Sequence, residues 1–63
     1  MQERINAALD RARRIAERDG VHVSTVDLYL DVELAKAMLS AGLVRIANGA
    51  QLDPHHLICR VVA

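Results

Sequence analysis

Two adjoining stretches decide how this chain is read: Val26-Asp-Leu-Tyr-Leu-Asp31 and Val32-Glu-Leu-Ala-Lys-Ala-Met-Leu-Ser-Ala-Gly42. In the first, Val26, Leu28 and Leu30 alternate with Asp27, Tyr29 and Asp31, the two-residue period of a half-buried strand. The β-branched residues Val21, Val23, Thr25 and Val26 favour extended chain, and Val21-His-Val23 alternates as well. A short helix after Ser24 competes with this reading, because Ser24 stands three residues before Asp27 in capping-box spacing. In the second stretch the period changes. Asp31 suits a helix N-cap, Glu33 puts negative charge in the first turn, and good helix formers follow until Gly42. The expectation is a strand over part of 21–30 and a helix over 32–41.

That helix carries only Glu33, Lys36 and Ser40 as polar side chains, in one narrow strip. A helix apolar nearly all round is buried on more than one side. A second chain on Val32 and Ala35 is one way to cover it. Upstream, Ile5, Ala8, Leu9, Ala12, Ile15 and Ala16 repeat with helical spacing, and Gly20 can end the turn, which predicts a helix over 3–19. Downstream, Leu43-Val-Arg-Ile-Ala47 is followed by Asn48-Gly49, the strongest short hairpin signal, then by Ala50-Gln-Leu52 and a break at Asp53-Pro54. Leu57-Ile-Cys-Arg-Val-Val62 reads as a last strand, an apolar edge open to pairing. The reading is one α+β domain over 1–63. It has two helices (about 3–19 and 32–41) and a small antiparallel sheet with a C-terminal β-hairpin, completed by dimerisation.

Composition supports the dimer. Of 63 residues 52% are apolar, yet Trp and Phe are absent and Tyr29 is the single aromatic. A domain of this size has a marginal core and usually adds disulfides, a metal or a partner. The one cysteine, Cys59, rules out an internal disulfide. The apolar fraction is too high for a disordered tail. Neither a bilayer-spanning apolar run nor the basic-then-apolar order of a secretory signal is visible. A cytoplasmic protein with no membrane role is therefore expected. Arginine supplies seven of the eight basic residues, a bias that fits a GC-rich bacterial or phage genome.

Chemistry-bearing residues are sparse. His55-His56-x-x-Cys59 offers zinc-compatible donors but lacks a second close Cys/His pair. Cys59 sits among Leu57, Ile58, Val61 and Val62, as a small buried residue would. Gly20, Gly42 and Gly49 all fall at predicted ends and turns, so no phosphate loop is formed. No catalytic, cofactor-binding or metal residue is assigned, and the chain reads as a non-enzyme without cofactors.

Arg4, Arg11, Arg14 and Arg18 line the first helix, and Arg45 stands near the predicted hairpin. They are the candidate contacts for nucleic acid. Ala41-Gly-Leu-Val-Arg-Ile-Ala-Asn-Gly-Ala-Gln-Leu52 resembles the end of a winged-helix domain, where a reading helix runs into a strand and a hairpin wing. It is also similar to the RNA-binding module of small-subunit ribosomal proteins, with an extra Ala47 before the turn. The winged-helix resemblance implies a DNA-binding regulator. Against that, the span from Ser24 to Leu43 is too short for two full helices and their turn. Eight basic residues also balance eight acidic ones, whereas phosphate binding draws on positive charge. The expectation is a small non-enzymatic regulatory protein of adaptor or inhibitor type, homodimeric and binding another protein, with a winged-helix-like DNA-binding regulator as the alternative.

Overall fold

A computed structural model of the chain describes residues 1–47 and 54–62. In order they form helix α1 (Gln2–Asp19), a single 3-10 turn (Val23–Thr25), strand β1 (Asp27–Asp31), helix α2 (Val32–Ser40), strand β2 (Val44–Ile46) and strand β3 (His56–Val61). The class is α+β, with two helices and a three-stranded antiparallel sheet of order β1-β3-β2.

Strand passes into helix with no intervening loop. Asp31 keeps an extended backbone (φ −64°, ψ 154°), and its Oδ2 accepts from the Leu34 N–H at 3.1 Å. This satisfies one of the N–H groups that a helix start leaves open. Both helices end in the same way. Gly20 (φ 68°) donates to Glu17 O at 3.4 Å, and Val21 donates to Ala16 O at 3.0 Å. Gly42 (φ 72°) donates to Leu39 O at 3.0 Å, and Leu43 to Met38 O at 2.9 Å. Each pair is a Schellman closure, and each requires the left-handed conformation that glycine adopts without steric cost.

Before β1 the chain departs from its alternating pattern. The strand expected over part of 21–30 forms from Asp27, whereas Val23–Thr25 is the 3-10 turn, capped by His22. His22 Nδ1 accepts from the Ser24 N–H at 3.1 Å, and Thr25 Oγ1 donates to His22 O at 2.7 Å. Such local bonds give the backbone an alternative to a ladder.

The C-terminal strand is the larger correction. β3 is the centre of the sheet, not its edge. Leu28 stands opposite Cys59 and Leu30 opposite Leu57 on one side, and Val44 stands opposite Val61 on the other. A six-residue strand rich in apolar side chains has its backbone groups paired on both sides only in this position. The partner of β2 is therefore β3. Asn48-Gly49, Ala50–Leu52 and Asp53, where a tight hairpin and second break were expected, lie outside the described residues.

Both helices pack on one side of this sheet. Ile5, Ala8, Ala12 and Ala16 of α1 join Leu34, Ala35 and Met38 of α2 and the inward row Leu28, Leu30, Val44, Cys59 and Val61. The three alanines on α1 allow its backbone to approach closely, so a core without Phe or Trp still fills. Ala35 and Met38 are 0% exposed within the single chain, and Val32 is half-buried. Leu34, Ala35 and Met38 of α2 are thus covered within the same chain, while Ala37 and Leu39 are half-buried. Ala35, expected to meet a second chain, is core. The radius of gyration is 10.8 Å. A self-contained domain of this length is expected at about 10.6 Å.

A Cβ on Gly42 would meet nothing within 4 Å, so a substitution there isolates the backbone term. Gly42→Ala is expected to destabilise by about 1–2 kcal/mol, with Gly42→Asn closer to wild type, in urea unfolding followed by circular dichroism.

Candidate interaction surface

The two-residue period of β1 and β3 separates their side chains cleanly. Leu28, Leu30, Cys59 and Val61 enter the core, and Asp27, Tyr29, Ile58 and Arg60 project from the opposite face. Arg45 of β2 alternates with buried Val44 and stands on that outer face too. Both helices contribute their buried residues to the inner side, and among the described residues no helix or strand packs on the outer face. Tyr29 is 50% exposed there.

Cross-strand pairs order this face. Arg60 Nε donates to Asp27 Oδ1 at 2.8 Å, directly across the ladder. Tyr29 stacks on His56 of the neighbouring strand, with ring centroids 4.5 Å apart and planes inclined at 20°. His56 is paired with Asp31, so this stack is a diagonal contact of the kind that long and aromatic side chains reach.

Beside the free flank of β1 lies a cleft of about 320 Å3. Helix α1 supplies one wall through Arg4, Ala7, Ala8 and Arg11. Strand β1 and its neighbours supply the other through Tyr29, Leu30, Asp31, Leu34 and His56. Arg4 is held at one end by an ion pair with Asp31, and by Glu33 at 3.8 Å. The Asp31 carboxyl lies below the ordinary aspartate range, first because the Leu34 N–H donates to its charged form, then because Arg4 is close.

The five arginines expected to gather for nucleic acid do not share a surface in one chain. Arg4, Arg11, Arg14 and Arg18 lie on α1, on the inner side, whereas Arg45 is on the outer face. Arg18 is tied to Asp19 at 2.9 Å and Arg4 to Asp31. Among the described residues Arg11, Arg14 and Arg45 have no ion-pair partner. Residues 27–46 are described throughout and contain one helix between β1 and β2, so the winged-helix pair is not formed.

The His/Cys constellation is also divided. Cys59 is fully buried on the inner face, and burial pushes its thiol pKa up. His56 projects on the opposite side. Among the described residues there is no group of three or more His, Cys, Asp or Glu arranged to hold a metal. No described helix is long and apolar enough to cross a membrane.

Sequence reasoning missed the Tyr29–His56 stack, the Asp27–Arg60 pair and the cleft. The first two depend on the β1–β3 register and the cleft on how α1 packs beside β1, neither of which a local pattern states. One signal was present: Tyr29 occupies the polar phase of the alternation in β1.

No family model, no curated protein and no solved structure matches this chain.

Two outcomes follow from these environments. Asparagine caps a helix as well as aspartate, so Asp31→Asn removes the charge and keeps the cap. A carboxyl depressed below its unfolded value of about 3.9 stabilises fully above about pH 5 and loses that contribution as pH falls through the folded pKa. The stability advantage of wild type over Asp31→Asn is therefore expected to shrink from pH 5 downward in urea titrations. Cys59 is expected to resist a disulfide reagent such as dithionitrobenzoate in the native protein and to react once denatured.

Proposed function

We propose that this protein is a small non-enzymatic interaction module of the adaptor or inhibitor type, which binds another protein through the outer face of its sheet. The observation that carries this reading is the placement of Tyr29. Aromatic side chains bury more apolar area than any others, and a chain of this size has the most to gain from them. Here the single aromatic is half exposed, stacked on His56 and directly opposite Ile58. Tyr and Arg are the residue types that dominate binding energy at protein interfaces, and Arg60 on β3 and Arg45 opposite it on β2 share this outer face with Tyr29.

The nucleic-acid alternative has less support. One helix stands where a reading pair is needed, and its polar strip is Glu33, Lys36 and Ser40. The arginines are split between the two sides of the domain, and the formal net charge is zero. A second copy of the chain, the homodimer expected from the composition, is another candidate occupant of the outer face.

The test is affinity capture from the source lysate with tagged wild type and Tyr29→Thr, with and without nuclease. Threonine keeps the strand preference at an exposed site, so both proteins are expected to melt at similar temperatures. Wild type is expected to retain a protein in both conditions, with retention by Tyr29→Thr weaker by about tenfold or more. Capture lost on nuclease digestion, or equal capture by the variant, overturns the reading.

A further inference from the structure

We infer that the cleft between α1 and β1 receives an acidic side chain of the partner protein, an assignment that rests on the protein-binding reading above. The α1 wall is built from residues 4, 7, 8 and 11, one stripe of the helix facing β1. Its middle members are alanines, so the wall is low and a space is left. Arg4 and Arg11 stand at the two ends, about 10.5 Å apart along the helix axis. They are not equivalent. Arg4 is already neutralised by Asp31 and Glu33. Arg11 has no ion-pair partner among the described residues.

This asymmetry selects the ligand. The lining holds two guanidinium groups against one carboxylate, Asp31. A docked partner strips water from the cleft, and an unpaired Arg11 would then be costly. A carboxylate completes it through two parallel N–H···O bonds. Behind the charge lie buried Leu30 and Leu34, which suit the methylene groups of a glutamate or aspartate side chain. A volume of about 320 Å3 is at the lower limit of small-molecule pockets and accommodates a side chain more readily than a nucleotide. Asp31 and Glu33, close together at the Arg4 end, disfavour a doubly charged phosphate relative to a singly charged carboxylate.

The probe is the blocked tripeptide N-acetyl-Leu-Glu-Leu-amide, titrated into the full chain and followed by amide chemical shifts. Its Gln counterpart is the control. The Glu peptide is expected to shift the amides of Ala7, Ala8, Arg11 and Leu30 saturably, and the Gln peptide to bind about tenfold more weakly. Arg11→Gln is expected to lower affinity for the Glu peptide by about tenfold, whereas Arg14→Gln, on the same helix but outside the cleft, leaves it unchanged. Equal binding of the two peptides, or binding indifferent to Arg11→Gln, overturns the assignment. The underlying reading fails separately. Peptide binding absent while nuclease-resistant capture persists removes only the cleft assignment, and capture lost to nuclease removes the protein partner itself.

Discussion

The carboxylate of Asp31 accepts from the Leu34 N–H with one oxygen and from Arg4 with the other. The first bond allows β1 to become α2 at a single residue, because the helix start is satisfied by the last residue of the strand. That leaves α2 no loop with which to swing away, so it must fold back onto the face that Leu28 and Leu30 present. The second bond draws the first turn of α1 to the same point. Helix, strand and helix are thus joined at one side chain, and the core forms in the angle between them. Such an exposed pair contributes little energy alone. Its importance is geometric.

Local chemistry made much of this legible. Both helices could be read from periodicity and from their glycine stops, and α2 from its aspartate cap as well. These are signals in which cause and effect lie within one or two turns. The alternation of β1 was legible for the same reason. The position of β3 was not. Whether Leu57–Val62 lies at an edge or at the centre depends on two other strands, and its own composition suits either place. With β3 between β1 and β2, Cys59 stands opposite Leu28 and Val61 opposite Val44 on the inner side, whereas Ile58 alternates onto the outer face.

The functional features divide in the same way. Arg11 was visible as one member of a regular stripe, but nothing in the stripe separates it from Arg4, Arg14 or Arg18. Only the fold does so, by giving Arg4 and Arg18 partners and placing Arg11 in the cleft. Tyr29 was visible as the single aromatic, and its phase in β1 already indicated an outward position. The neighbours that give this position meaning, His56 and Ile58, come from a strand almost thirty residues further along the chain.

The central strand is also the latest of the three in the chain. Among the described residues β1 and β2 have no hydrogen-bonded contact with each other, and each pairs with β3. During synthesis neither can make the ladder it has in this sheet until His56–Val61 has been made. The helices can form early, yet the apolar faces of α1 and α2 have no sheet to rest on until that moment. Order in this domain therefore arrives late and together, a consequence of where one strand falls in the sequence.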